Sequence, residues 1–218
     1  MLVGIPVYQG VNLLDVAGPM EIFYWAGQSN DLSTILISED GQPVTSINDV
    51  KFDVQASFAD APKLDILWVP GGAVQALEEI MKDVEAPYLN YLRKVETDAA
   101  WICSVCEGAM LLARAGLLDG HNAATHWAFV DCLRRFPDVT VPDGNPRFLV
   151  SDNRLTGGGV SSGLDESLEL IRRLFGKEAA KRVQVTIEYF PKPPVQGQLP
   201  GKGPVCRMNW EKQSRLED

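Results

Sequence analysis

The chain has 218 residues, of which 45% are hydrophobic. This is enough to bury one substantial core, so we expect a folded domain and exclude a disordered chain. The formal net charge of −9 argues against a nucleic-acid-binding surface, which needs clustered Lys and Arg, and we expect a small molecule or a protein as the partner.

Short apolar runs alternate with longer helical patterns, which is typical of a parallel sheet covered by helices on both faces. The predicted strands are Leu2–Tyr8, Ser33–Ser38, Asp65–Val69, Ala100–Val105 and Asn122–Thr125, followed by a hairpin of Arg147–Val150 and Arg154–Thr156. The predicted helices are Pro19–Gly27, Val74–Met81, Ala86–Thr97, Glu107–Ala115, Trp127–Phe136, Ser162–Phe175 and Lys177–Tyr189.

The carboxyl-terminal part of the chain has a different composition. Residues 191–204 include five Pro and three Gly, which predicts an irregular arm. We therefore predict one α/β domain over residues 1–190 and a Pro/Gly-rich arm over residues 191–218.

The amino terminus predicts neither a targeting segment nor a membrane segment. No Lys or Arg precedes Lys51, so the positive region of a signal peptide is missing. No apolar run approaches the roughly 18 residues that span a bilayer. We expect a cytoplasmic protein without membrane contact, whose four cysteines remain thiols in a reducing compartment.

Two of these cysteines form a Cys-x-x-Cys pair, Cys103 and Cys106. In a redox dithiol the first cysteine normally begins a helix, whereas Cys103 lies inside an apolar predicted strand and is expected to be buried. A metal site needs more ligands, yet the only histidines are His121 and His126. We therefore predict no metal and no other cofactor.

Cys106 falls where the strand ends and a helical pattern begins. Ser104 and Gly108 flank it with the small-x-nucleophile-x-small spacing of a nucleophile elbow, in which a sharp turn leaves no room for bulk. The positive end of the following helix is expected to favour the thiolate. The alternative is an inert cysteine at a strand end.

Ligands of open α/β sheets bind at the carboxyl ends of the strands. Asp15 follows the first strand and precedes the helix predicted from Pro19. We expect Asp15 to be either an acid at this edge of the sheet or a residue that stabilises the turn. Gly71 and Gly72 follow the third strand, where their N–H groups and that of Glu107 could form an oxyanion-type pocket. A plain tight turn is the alternative for the glycines.

Three further residues are secondary candidates. His126 follows the fifth predicted strand, and we favour a hydrogen-bonded structural residue over a base near the sulfur. Trp127 is its neighbour, and Val160 lies in a glycine-rich stretch, residues 157–163. That stretch does not satisfy the G-x-G-x-x-G spacing of a dinucleotide loop, so we expect it to let a helix begin close to the site.

Several motifs occur in a fixed order along residues 2–194: Leu14-Asp-Val-Ala-Gly-Pro19, Leu67-Trp-Val-Pro-Gly-Gly72, Ser104-Val-Cys-Glu-Gly108, Ala115-Gly-Leu-Leu-Asp-Gly120, Ala124-Thr-His-Trp127, Leu155-Thr-Gly-Gly-Gly159 and Val183-Gln-Val-Thr-Ile-Glu-Tyr189. With these motifs the chain resembles the PfpI-type, glutamine-amidotransferase-like superfamily and, within it, the isocyanide hydratases. The resemblance implies a flavodoxin-like three-layer α/β sandwich, a homodimer, Cys106 as nucleophile and Asp15 as its acidic partner.

The resemblance also implies an activity, the hydration of a small-molecule isocyanide to an N-substituted formamide through a covalent Cys thioimidate. Protease-type members carry His directly after the cysteine, and Glu107 stands there in this chain, which weakens a peptidase interpretation. Regulatory relatives append a helix-turn-helix region, for which the 24 residues after Pro194 are too few. A cysteine-based oxidative-stress sensor and a deglycase- or glyoxalase-like enzyme remain alternatives.

Overall fold

A computed structural model describes residues 1–210. Its strands are β1 Leu2–Pro6, β2 Ser33–Ser38, β3 Val44–Thr45, β4 Lys51–Phe52, β5 Ala56–Ser57, β6 Ile66–Val69, β7 Trp101–Ser104, β8 Phe148–Ser151 and β9 Arg154–Gly157. Its α-helices are α1 Leu13–Gly27, α2 Val74–Met81, α3 Pro87–Glu96, α4 Gly108–Arg114, α5 Val130–Leu133, α6 Ser162–Phe175 and α7 Lys177–Thr186, and a 3-10 helix, Trp127–Phe129, precedes α5.

Seven strands form the central sheet in the order β5-β2-β1-β6-β7-β9-β8, and all neighbours are parallel except the β8–β9 hairpin. Helices α1, α6 and α7 pack together, and α2, α3, α4 and α5 form a second group. Every residue of β6 is buried, as expected for a strand covered on both faces. The predicted three-layer flavodoxin-like sandwich is confirmed.

The predicted strand Asn122–Thr125 is wrong. Only an isolated bridge joins Asn122 to Thr140, because the Ala124 N–H donates to the side chain of Thr156, at 2.8 Å, and not to a neighbouring strand's backbone. Strand β9 takes the place beside β7 instead. The predicted helix from Trp127 is also broken, into the 3-10 helix and α5.

Helix α1 begins at Leu13, six residues before the predicted start at Pro19. A proline inside a helix has no N–H to donate to the carbonyl four residues earlier, which here belongs to Asp15. The indole N–H of Trp68 donates to that carbonyl oxygen instead, at 3.1 Å. The replacement bond lets the helix include Asp15, which therefore lies in the first helical turn and not before it.

The arm from residue 191 to residue 210 contains neither helix nor strand, and residues 211–218 lie outside the described part of the chain. Cys206 forms a disulfide with Cys132, so the prediction that all four cysteines remain thiols is wrong. The two cysteines are separated by 74 positions along the chain, and this distance hides the pairing in the sequence. Disulfides are typical of oxidising compartments, which weakens the prediction of a cytoplasmic location.

Among the described residues, no helix combines the length and apolar character needed to cross a bilayer.

Candidate active site

The chain turns sharply at Cys106, directly after β7. Its φ of 57° lies in the left-handed region, which is uncommon for a residue other than glycine. Neighbours hold the turn: the Cys106 N–H donates to the Gly158 carbonyl at 2.8 Å, and the Thr125 hydroxyl donates to the Cys106 carbonyl at 2.9 Å. A Cβ at Gly108 would collide with the Val69 carbonyl, so the small residue is required. These features confirm the predicted nucleophile elbow.

Three acidic groups meet at this turn. The sulfur of Cys106 and one carboxylate oxygen each from Asp15 and Glu107 all lie within 4.8 Å of one another. The three residues are 2%, 0% and 6% exposed, respectively. Their donor atoms are close enough to share a metal ion, but the same geometry also fits a nucleophile with a neighbouring acid.

Asp15 is anchored at one carboxylate oxygen and unpartnered at the other. The Gly71 N–H donates to its Oδ2 at 3.0 Å, whereas its buried Oδ1 has no hydrogen-bond partner within residues 1–210. An oxygen in this state is available to exchange a proton with a bound molecule.

Burial shapes the acidity of the cluster. It raises the pKa of Asp15 to about 8, with a further contribution from the negative charge of Glu107 and opposing ones from the Gly71 N–H and from a hydrogen bond with the Cys106 side chain. Burial also raises the pKa of the Cys106 thiol, and the charges of Asp15 and Glu107 raise it further, whereas the backbone N–H of Val160 lowers it. At neutral pH Asp15 is therefore largely protonated.

The expectation that a helix end favours the Cys106 thiolate is wrong. Helix α4 follows the cysteine as predicted, but it has only seven residues. A helix dipole contributes about 0.3–1 kcal/mol at an ordinary site, whereas burying a charge beside two carboxyl groups costs several kcal/mol. Desolvation and repulsion win, and the sulfur rests as a thiol.

The predicted glycine pair separates into two environments. The Gly71 N–H is engaged by Asp15, so Gly71 positions the acid, and its Cα lies against Glu107. Gly72 pairs with Val11 in an isolated bridge and packs beside Tyr8. The oxyanion pocket based on Gly72 and Glu107 stays a prediction.

A cavity of about 380 Å³ lies beside the elbow. His126, Trp127 and Val160, the secondary candidates, all line it. Cys106 is not a lining residue; it lies behind Gly158 and Val160, which line the cavity and contact the cysteine through their backbone. The cavity and the cysteine therefore lie on either side of the segment formed by residues 158–160.

His126 has a structural role at the mouth of this cavity. Its Nδ1 accepts a hydrogen bond from the Ala128 N–H at 3.2 Å and caps the 3-10 helix. The ring packs so closely over Gly159 that a Cβ there would clash. This favours the structural interpretation of His126 over a catalytic base.

Sequence reasoning missed two positioning residues, Thr125 and Trp68, and one buried acid, Glu166. The Thr-His-Trp and Leu-Trp-Val motifs drew attention to their neighbourhoods, but only the fold shows that Thr125 holds the elbow and that Trp68 holds the Asp15 carbonyl. Glu166 looked like an ordinary polar residue of α6. It is fully buried, and neither of its carboxylate oxygens has a hydrogen-bond partner in the described chain.

Glu166→Gln is expected to change how stability depends on pH. Burial raises the pKa of Glu166 well above its ordinary value of 4.5. The folded protein thus keeps a proton that the unfolded chain loses, and the free energy of unfolding falls as pH rises above about 4.5. Relative to wild type, the variant should gain stability as pH rises from 5 to 7, measured by urea unfolding.

Glu169→Gln is the control for this measurement. Glu169 lies on the same helix, and hydrogen bonds and ion pairs with Arg172 and Arg173 lower its pKa. A lowered pKa contributes stability that is fully present above the ordinary value of 4.5 and is lost only as pH falls below it, so this control should follow a flat trend, with a nearly constant stability difference from wild type between pH 5 and 7. A Glu166→Gln variant that follows the same trend contradicts the assignment.

Comparison with known proteins places this site in a family. The model of the DJ-1/PfpI family matches residues 1–173. The chain belongs to the DJ-1/PfpI family. The chain is also similar to an isonitrile hydratase of Pseudomonas putida, with 34% identity over 93% of this chain and 84% of that protein's length.

Two further matches show the range of the family's relatives. A crystal structure of a THiJ/PfpI family protein from Pseudomonas syringae superimposes with a TM-score of 0.80 at 31% identity, covering 89% of this chain and 77% of that one. The HTH-type transcriptional regulator GbdR of Pseudomonas aeruginosa is 26% identical over 86% of this chain, a match that spans half of that protein. The sequence is thus similar both to a protein named as an enzyme and to a protein named as a regulator.

Proposed function

We propose that this DJ-1/PfpI family member is an isocyanide hydratase, which adds water to an isocyanide to give an N-substituted formamide. One observation carries the proposal: a buried acid, Asp15, with one anchored and one unpartnered oxygen beside the cysteine of a nucleophile elbow. This pairing supplies the nucleophile and the proton carrier that the reaction needs. The similarity to a protein named isonitrile hydratase supports the same activity.

The first half-reaction forms the covalent intermediate. Loss of one proton from the cluster gives an Asp15 carboxylate beside the Cys106 thiol. As the sulfur bonds to the terminal carbon of R–N≡C, Asp15 accepts the thiol proton and delivers it to that carbon. The product is the thioimidate R–N=CH–S–Cys106, and Asp15 is again a carboxylate.

The second half-reaction consumes water. Asp15 takes a proton from water while the water oxygen bonds to the thioimidate carbon. Asp15 then passes that proton to the nitrogen. The adduct R–NH–CH(OH)–S–Cys106 then collapses: the C–S bond breaks, the hydroxyl proton passes through Asp15 to the sulfur, and R–NH–CHO leaves. No step requires a cofactor, and N–H groups such as those of Gly72 and Glu107 are proposed to stabilise the developing charge, where one lost donor costs about 3 kcal/mol.

Incubation of the purified protein with cyclohexyl isocyanide tests the activity, with N-cyclohexylformamide measured by mass spectrometry. We expect turnover that survives a chelator, since the mechanism uses no metal. A protein that forms no formamide, yet is readily oxidised by peroxide at Cys106, contradicts the proposal and supports the oxidative-stress sensor.

The pH profile is expected to rise. The active form has lost one proton from the Asp15–Cys106 pair, and the pKa of Asp15 is about 8. The value of kcat/KM should therefore increase as pH passes through about 8 and level off above it. Rates between pH 6 and 10 check this, and a profile that falls over the same range contradicts the assignment of Asp15 as proton acceptor.

We further infer that the chain forms a homodimer, as the family resemblance implies. Light scattering of the purified protein tests this directly, with a monomer mass as the contradicting result. A cytoplasmic location conflicts with the Cys132–Cys206 disulfide, because disulfides are rare in the reducing cytoplasm. Fractionation of the cells that produce the protein shows in which compartment it lies.

A further inference from the structure

The C-terminal arm, residues 191–210, borders the cavity beside the elbow. Leu199 lines that cavity together with His126 and Trp127. Four residues later the backbone crosses the 3-10 helix so closely that a Cβ at Gly203 would lie 2.5 Å from the Trp127 carbonyl oxygen. The arm thus lies against the same short segment that supplies one side of the cavity.

Beyond this crossing the arm is fastened to α5 and the turn that follows it. Cys206 is bonded to Cys132, and its N–H donates to the Asp131 carboxylate at 2.8 Å. Trp210 is 3% exposed and stacks on Phe136 with 5.6 Å between ring centroids. A covalent bond, a charge-assisted hydrogen bond and a buried aromatic ring therefore hold this end.

The stretch that contains Leu199 has no comparable support of its own. All residues from 191 to 202 are exposed, and Leu199 itself is 56% exposed. An exposed segment without buried contacts gains little to offset its conformational entropy. Its position over the cavity therefore depends on the fastened end, and the disulfide restricts it most directly.

We propose that the arm is the outer wall of the substrate cavity, that Leu199 limits the size of the group attached to the reacting carbon, and that the Cys132–Cys206 disulfide holds this wall in place. The inference rests on the proposed function in one respect, that the substituent of the isocyanide occupies this cavity. It identifies the arm as the element that sets substrate range.

Alkylation of Cys106 tests the wall without any isocyanide. The readout is the ratio of two rates, that of bulky N-phenylmaleimide to that of small iodoacetamide, with the modified cysteine located by peptide mass spectrometry. Leu199→Ala and the double variant Cys132→Ser/Cys206→Ser should each raise this ratio about tenfold, the effect of a removed hydrophobic contact in a pocket. Val195→Ala is the matched control, because Val195 is 73% exposed in the same arm and does not line the cavity; its ratio should equal that of wild type.

Each other outcome overturns a defined part of the proposal. If the ratio is unchanged in Leu199→Ala, or if Cys106 reacts in no variant, the proposal that the arm forms the outer wall of the cavity is rejected. A change in Leu199→Ala alone overturns the role of the disulfide. Titration of unfolded, unreduced wild type should find two free thiols, Cys103 and Cys106, and four would remove the disulfide from the account.

Turnover separates this inference from the proposed function. If isocyanides are hydrated, Leu199→Ala should raise kcat/KM for cyclohexyl isocyanide relative to methyl isocyanide about tenfold. If no isocyanide is hydrated but the alkylation ratio changes as expected, the proposed function fails and the wall stands. If turnover occurs and neither ratio changes, the function stands and the wall is rejected.

Discussion

Cys106→Ala is expected to abolish formamide production, whereas Cys103→Ala should retain most of the wild-type rate. Only Cys106 sits at the left-handed turn beside Asp15 and Glu107. Cys103 is 0% exposed within β7 and is expected to act as a small apolar side chain. The measurement is the initial rate of formamide release for both variants, with thermal unfolding to verify that each is folded.

The two cysteines are matched controls for each other, since both are free thiols of the same Cys-x-x-Cys sequence. Equal loss of activity in folded Cys103→Ala revives a dithiol mechanism. Retained activity in Cys106→Ala removes the nucleophile from the proposed chemistry altogether.

Asp15→Asn should lose about 10²- to 10⁴-fold in rate and yet gain stability. The rate falls because an amide cannot carry the proton between sulfur, water and the substrate carbon. The stability rises because the folded protein has a pKa of about 8 at Asp15, against an ordinary value of 3.8. Folding at pH 7 therefore requires the uptake of a proton, and removing that requirement contributes up to about 4 kcal/mol.

The gain has a defined pH dependence. A raised pKa costs stability progressively as pH increases from about 3.8 towards 8, so the difference between variant and wild type should be small at pH 4 and largest near pH 8. Urea unfolding at both pH values measures it. Glu21→Gln, at an exposed position on the same helix, is the control for exchanging a carboxylate for an amide. A normal rate in Asp15→Asn, or a loss of stability at neutral pH, contradicts the role of the buried acid.

The sequence predicted much of the fold because strong local patterns coincide with the core. The strand Ser33–Ser38 and the helices Val74–Met81 and Ser162–Phe175 agree residue for residue with the structure. The start of α1 could not be predicted, because it depends on an indole N–H from β6 that replaces the bond lost at Pro19. The two-residue strands β3, β4 and β5 are too short to show a period in the sequence.

Sequence reasoning named Cys106 and Asp15, which the structure brings together, but it did not predict the electrostatics around them. The elbow at Cys106 and the acid at Asp15 follow from small residues and from the carboxyl ends of strands. The spacing of residues in the sequence does not encode two consequences of packing. The Gly71 N–H donates to the Asp15 carboxylate, and burial raises the pKa of the Cys106 thiol by more than the helix end lowers it. The disulfide between Cys132 and Cys206 depends likewise on the folding back of the arm.

The most direct test is the mass of the protein during turnover. Mixing with an excess of cyclohexyl isocyanide, followed by rapid acid quenching, should add the mass of one isocyanide molecule per chain, located at Cys106 and absent in Cys106→Ala. A protein that releases formamide from a chain of unchanged mass, or that carries the added mass at another residue, contradicts covalent catalysis by this sulfur.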